Sequence, residues 1–184
     1  RRSLEKARQA RKPVIFLKVG RTKAGAEAAK SHTASLAVSD ALIDALFKQY
    51  GVYRADKTDE MMDVAYACQM GVYPKSRKLG ILTISGGVGV QMADLAIKHG
   101  LDVPAMPKAV QRKISEMLPF AAVRNPIDIT ATAMEDPTFV PITHEILLNE
   151  TDCDAVATFL TPVSGGHETA DVLLPMFKSI RERE

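Results

Sequence analysis

Residues 12–36 read KPVIFLKVGRTKAGAEAAKSHTASL, and this stretch decides the fold. Its apolar centre, Val14-Ile15-Phe16-Leu17, predicts a short strand over 14–18, begun by Pro13. The unbroken apolar run suits a buried strand of a parallel sheet. A polar loop is expected next, carrying Gly20 and Gly25 and then Ser31-His32-Thr33-Ala34-Ser35. Beyond it, Ser39-Asp40 caps a helix with Leu42, Ile43, Leu46, Phe47 and Tyr50 on its apolar face, closed by Gly51. Open α/β sheets place their ligands in the loops that follow strands, so His32 is the first candidate for chemistry.

Working outward, Ser3 to Arg11 reads as a helix with Ser3 as N-cap. Downstream, Val52-Tyr53-Arg54 is a short strand. Thr58 caps a helix with Met61, Met62, Val64, Ala65 and Cys68 inward, ended by Gly71. This strand-helix alternation argues for a parallel sheet. Tyr73 to Lys78 is polar and holds Pro74, so a domain boundary is placed there, giving domains 1–74 and 75–184. A second cycle follows: a strand Leu79 to Ile84, a turn Ser85-Gly86-Gly87-Val88-Gly89, a helix Val90 to His99 and a helix Lys108 to Leu118. After a loop Asn125 to Thr130 come a helix Thr138 to Asn149, a buried strand Ala155 to Leu160 and a last helix His167 to Arg181.

The 184 residues are enough for two compact domains, and 46% of them are hydrophobic, so a core can form. With a net charge of +2 and both signs interspersed, there is no clustered basic face of the kind that binds nucleic acid. Arg1, Arg2, Arg8, Arg11 and Lys12 read as a solvated helix face. Cys68 and Cys153 fit no metal spacing and read as reduced thiols of an intracellular, cytoplasmic protein, and no metal ligands are expected. No apolar run reaches the ~20 residues of a membrane span, and no signal peptide is seen. The polar opening, with no initiator Met, and the Arg181-Glu182-Arg183-Glu184 close lead us to expect a piece of a longer protein.

A neutral imidazole is a good nucleophile near pH 7, which makes His32 a candidate covalent phosphate carrier. Ser31, Thr33 and Ser35 would donate hydrogen bonds to phosphate oxygens. Arg21 or Lys23 would offset the phosphoryl charge, unless they are ordinary exposed loop charges. Glycines between a strand and a helix let backbone N–H groups approach an anion at the positive end of the helix dipole. Ser85, Gly86, Gly87 and Gly89 are therefore phosphate-binding candidates, or else a plain tight turn. The turn is not a Walker A loop, because no Gly-Lys-Ser/Thr follows, and it lacks the glycine spacing of a dinucleotide fingerprint. Asn125 and Asp128 either join the same sheet edge or serve Asn-Pro turn chemistry. His99 reads as a helix C-terminal residue, and His144 and His167 receive no role.

Three stretches, KPVIFLKVGRTKAGAEAAKSHTASLAVSDAL, ILTISGGVGVQMADLAIKHGLDVP and NPIDIT, resemble the α-type portion of the nucleoside-diphosphate-forming acyl-CoA synthetases, the ADP-forming acetate–CoA ligase group related to succinyl-CoA synthetase. The resemblance implies two consecutive flavodoxin-type, succinyl-CoA-synthetase-like domains, the first truncated at its N-terminus and the second at its C-terminus. It implies that the histidine of the SHT motif, His32, is phosphorylated between acyl phosphate and ADP. It makes Ser85 to Gly89 a phosphate-facing helix start. It further implies ATP or ADP with Mg, CoA and phosphate as cofactors, most of them held by a preceding CoA-binding domain and by ATP-grasp domains of the same protein or a partner subunit. A small carboxylic acid or its acyl-CoA would be the substrate and an oligomer the assembly, with the isolated piece inactive as a ligase. Ala34 and Val38 stand where many relatives have glycine. Two other readings are kept open: a ligand-sensing module of a protein lysine acetyltransferase, which has no need of His32, and an FMN binder, poorly served by a chain without Trp.

Overall fold

A computed structural model describes residues 1–33, 39–160 and 166–181. The chain divides into two compact units, Arg1–Tyr73 and Pro74–Glu184, and each is described by itself.

In the first unit, helix α1 (Arg2–Gln9) precedes strand β1 (Ile15–Leu17). Helix α2 (Lys23–Thr33), helix α3 (Asp40–Tyr50), strand β2 (Tyr53–Ala55) and helix α4 (Thr58–Gln69) follow. The β-branched and aromatic residues of β1 pair in parallel with β2, Ile15 opposite Tyr53 and Leu17 opposite Ala55. Phe47 of α3 is buried, and its ring centroid lies 5.1 Å from that of Phe16. Gly51 and Gly71, at φ 64° and 75°, end α3 and α4 in the left-handed conformation that glycine adopts without strain.

Three expectations are corrected here. β1 is not a buried strand: Phe16 keeps 45% of its surface exposed, because α3 covers only part of its face of the sheet. Leu42 is 65% exposed, so the apolar face of α3 is the narrower stripe of Ile43, Leu46, Phe47 and Tyr50. On α4, Met61, Val64 and Cys68 are half-buried while Met62 and Ala65 face solvent, Met62 because it lies about 100° round the helix from Met61. The expected caps also differ. Ser39 precedes α3 without a side-chain capping bond, α1 begins at Arg2, ahead of Ser3, and Lys57 occupies the N-cap position of α4.

The second unit is built on strand β3 (Leu79–Thr83), flanked in parallel by β4 (Ile127–Asp128) and β5 (Ala155–Phe159) in the order β4-β3-β5. Thr83 is opposite Asp128 on one side and Phe159 on the other. The helices are α5 (Gly86–Lys98), α6 (Lys108–Met117), α7 (Thr132–Glu135), α8 (Phe139–Glu150) and α9 (His167–Arg181). Ile81 and Leu82 of the central strand are fully buried, and Leu82 joins a core with Val110 and Ile114 of α6, Ile127, Ile146 and Leu147 of α8, and Leu173 and Met176 of α9. Ile127–Asp128, read as loop, completes the sheet, since β3 offers it a free edge. β5 is half-buried along Ala155 to Thr158 rather than buried, as befits the outer strand of the described sheet.

Candidate functional site

The two units each carry chemistry-bearing residues at the carboxyl edge of a parallel sheet, where such sheets place ligands. In the first unit the loop expected after β1 is mostly helix. α2 opens after Thr22, whose Oγ1 accepts a hydrogen bond from Gly25 N at 3.1 Å, and runs to Thr33. The run Ala24, Ala26, Ala28 and Ala29 with Glu27 and Lys30 has high helix propensity, which outweighs Gly25 and the polar Ser-His-Thr signal. His32 thus stands in the last turn of α2, not in a loop. The side chains of Ser31, His32 and Thr33 lie outside the described residues, as do Ala34, Ser35 and Val38 entirely.

What surrounds the base of this segment is a network of opposite charges. Lys18, just past β1, donates from Nζ to Asp40 Oδ1 at 3.1 Å. Arg54 of β2 donates to the same oxygen at 2.6 Å and also pairs with Asp44, one turn further along α3. The Arg54 side chain is 9% exposed. Arg21 pairs with Asp56, which follows β2, and its Nε lies 3.9 Å from Asp40 Oδ2. The Arg54 guanidinium, with Lys18 adding to it, holds the Asp40 carboxyl down at about 2. Arg21 is therefore already neutralised by carboxylates rather than free to face an anion. Sequence reasoning misses Lys18, Asp40 and Arg54 as a group, because nothing local marks a cation for a partner many residues away.

In the second unit the glycine-rich stretch is not a turn before a helix but the first turn of α5 itself. Ser85 is extended at φ −140° and its side chain makes no capping bond. Instead Thr83 Oγ1 accepts from Ser85 N at 2.9 Å and donates to Ser85 O at 3.2 Å, fixing the strand-to-helix corner. The glycines differ in what they do. A Cβ on Gly89 would meet Thr83 Cγ2 at 2.9 Å and Pro126 Cβ at 3.2 Å, so Gly89 lets α5 lie against the sheet. A Cβ on Gly86 would meet Asp128 Oδ2 at 3.0 Å, and one on Gly87 would meet nothing within 4 Å. Gly86 and Gly87 are exposed, so their backbone faces outward at the positive end of α5.

Asp128 stands beside that helix start, with Oδ1 accepting from Thr130 N at 2.8 Å, and Thr130 and Thr132 bring their hydroxyl oxygens within 3.1 Å of each other. Asn125, by contrast, is spent on the backbone: Oδ1 accepts from Ile81 N at 3.0 Å, and Nδ2 donates to Leu79 O at 3.0 Å and to Pro104 O at 2.9 Å. It replaces a strand neighbour along β3 and is a scaffold residue. His144, given no role from sequence, is buried on α8 with Nε2 3.0 Å from Thr158 Oγ1 and Nδ1 unpaired among the described residues. Burial pushes its imidazole below the ordinary histidine range, with Glu145 pulling weakly the other way. Among the described residues no cluster of His, Cys, Asp or Glu is arranged to hold a metal ion, and no helix is long and apolar enough to cross a membrane.

The family model for a succinyl-CoA ligase like flavodoxin domain matches residues 1–68, and that for a ligase-CoA domain matches residues 79–159. The chain belongs to the succinyl-CoA synthetase-like family. Within that family, the alpha subunit of an ADP-forming acetate–CoA ligase II of Pyrococcus furiosus is 35% identical over 186 residues, covering 99% of this chain and 40% of that subunit. A 4-hydroxybutyrate–CoA ligase (ADP-forming) of Nitrosopumilus maritimus is 37% identical over 124 residues, covering 67% of this chain and 18% of that enzyme. In structure the chain is similar to a dinucleotide-forming acetyl-coenzyme A synthetase 1 of Ca. Korarchaeum cryptofilum in complex with phosphate and ADP. The TM-score is 0.78 at 31% identity, over 95% of this chain and 39% of that one. The chain thus spans about two fifths of the length of that subunit and that structure. The expected α/β architecture of parallel-sheet, flavodoxin-type domains is the one observed.

Proposed function

We propose that this chain is the phosphoryl-carrying portion of an NDP-forming acyl-CoA synthetase, interconverting acyl-CoA, ADP and phosphate with carboxylate, CoA and ATP. The observation that carries the reading is similarity to ADP-forming CoA ligases across the His32 segment and the α5 start together. The named relatives are ligases rather than acetyltransferases, and the chain keeps the nucleophile that a sensor does not need.

In the forward direction, phosphate attacks the thioester carbonyl and the C–S bond breaks, releasing CoA and leaving an acyl phosphate. A neutral nitrogen of His32 then attacks phosphorus. The bond to the carboxylate oxygen breaks, and the electron pair leaves with the carboxylate. A terminal oxygen of ADP next attacks the same phosphorus, forming ATP and returning the imidazole. Ser31 and Thr33 serve as hydrogen-bond donors to the phosphoryl oxygens. The backbone amides of Gly86 and Gly87 and the α5 dipole, with Ser85 and Gly89 shaping the corner, form an anion-binding helix start. Asp128 lies beside that start and sets how far an anion can approach.

Nucleotide-bound Mg supplies charge neutralisation on the phosphates. The described residues offer it no ligand cluster, and we assign it, with the nucleotide, to ATP-grasp segments. CoA is assigned to a CoA-binding domain, a small carboxylic acid is the substrate, and the assembly is a cytoplasmic oligomer with its thiols reduced. With ATP and Mg, the full protein is expected to acquire an acid-labile, base-stable phosphate that His32→Ala lacks. Equal labelling of the two proteins overturns the carrier reading.

A further inference from the structure

Lys18, just past β1, and Asp40, at the start of α3, flank the segment that contains α2. Lys18 Nζ and Asp40 Oδ1 lie 3.1 Å apart although 22 positions separate them, so this contact closes the base of an excursion that contains α2 and His32. From Lys23 to His32 the helix rises about 13 Å at ~1.5 Å per residue. The histidine is thus carried well along the excursion, and its reach depends on where the ends are tied.

The tie is made to both strands. Lys18 anchors Asp40 to the end of β1, and Arg54 anchors it to β2. Arg54, whose side chain is 9% exposed, also holds Asp44, so the start of α3 is clamped by two carboxylates on one guanidinium. Arg21, at the outgoing end, is held by Asp56 and lies near Asp40 as well. Both ends of the excursion are thereby fixed on one sheet edge, and the position of Asp40 at the first residue of α3 also suits the helix dipole.

We propose that Asp40, gripped by Lys18 and Arg54, is a positioning residue that sets the base of the His32 excursion and so the places the histidine can reach. This rests on the phosphoryl-carrier reading of His32. Opening the base releases one end of the segment that contains α2 and spreads the positions α2 can take, and a small misplacement of a reacting group lowers transfer rates steeply. Binding of nucleotide, made elsewhere, is untouched.

The test uses the full protein and follows the rate of phosphohistidine formation from labelled ATP, with the KM for ATP and the thermal midpoint measured alongside. Asp40→Asn is expected to slow formation about tenfold with the KM for ATP unchanged. Asp40→Glu, which keeps the charge, restores part of the rate. Asp44→Asn, which loosens Arg54 but leaves Asp40 held by both Lys18 and Arg54, stays within about twofold of the parent, as a pair whose carboxylate is 48% exposed contributes little. Lys18→Met opens the base from the β1 side and gives an intermediate fall, which keeps the proposal testable if Asp40→Asn does not fold. Labelled parent protein with Asp40→Asn and Lys18→Met both at the parental rate overturns this proposal and leaves the carrier reading standing. So does an equal fall in Asp44→Asn, which would mean general stability alone. An unlabelled parent protein overturns the carrier reading, and this proposal with it.

Discussion

The two sheet edges are held together by different forces. At the edge of the first unit, side-chain charges do it: Lys18, Arg21 and Arg54 against Asp40, Asp44 and Asp56, around a two-stranded sheet with Phe47 and Ala55 as the buried apolar residues among those described. At the edge of the second, close packing does it: Gly89 against Thr83 and Pro126, above a core drawn from β3, β4, α6, α8 and α9. The segment that contains α2 is thus tied by contacts between side chains far apart in sequence. The start of α5 is instead built from backbone brought near the sheet.

The largest effect is expected from added volume at the packed edge. Gly89→Val puts a branched Cβ 2.9 Å from Thr83 Cγ2, and its cost should be about 1–3 kcal/mol, as for other overpacked sites. Denaturant unfolding followed by a probe in the second unit measures it. An unchanged midpoint would mean that α5 is not held by close approach.

Acid separates the units next. Asp40 titrates near 2 against an ordinary 3.8, so its contribution is complete above about pH 5 and is lost as the pH falls through 3.8 toward 2. His144 has its folded value below 6.5, so the unfolded chain binds the proton first. Its contribution is complete above 6.5 and declines as the pH falls below that. Between pH 6.5 and about pH 5.5, above the range in which Glu60, held below its ordinary 4.5 by the Tyr53 hydroxyl, begins to lose its contribution, protection factors corrected for intrinsic exchange should therefore fall at Ile81 N, in the second unit, and hold at Tyr53 N, in the first. His144→Gln should remove the difference. A parallel fall at both amides would erase the contrast.

The smallest effect concerns the unpacked glycine of the same helix start. A Cβ on Gly87 would meet nothing within 4 Å, and Gly87→Ala should stabilise the second unit by about 0.4–1 kcal/mol by restricting the unfolded chain. Thermal unfolding reads this directly. A loss of stability at Gly87 would show that the packing constraint extends over the whole first turn.

Much of the fold was legible in the residues. The last helix runs from His167 to Arg181 as expected, and the left-handed glycines Gly51 and Gly71 fall where helices were expected to end. The site was legible only in part. The strand-glycine-helix order pointed to Ser85 to Gly89, yet those glycines lie inside α5 because helix ends are set by hydrogen bonding rather than by composition. The Ser-His-Thr signal obscured an alanine-rich helix. Asn125 was expected either to join Asp128 at the sheet edge or to serve Asn-Pro turn chemistry, and only its three backbone partners reveal scaffolding.

The order of residues alone dictated the alternation of strands and helices, the glycine-marked helix ends and the residue types able to carry a phosphoryl group, since these depend on propensity and periodicity within a turn or two. Folding in three dimensions was needed to bring Lys18 and Arg54 together on Asp40, to make Gly89 rather than Gly87 the packed glycine, and to bury His144. A charge or a cavity wall finds its partner by distance through space, and that distance is not written in the spacing along the chain.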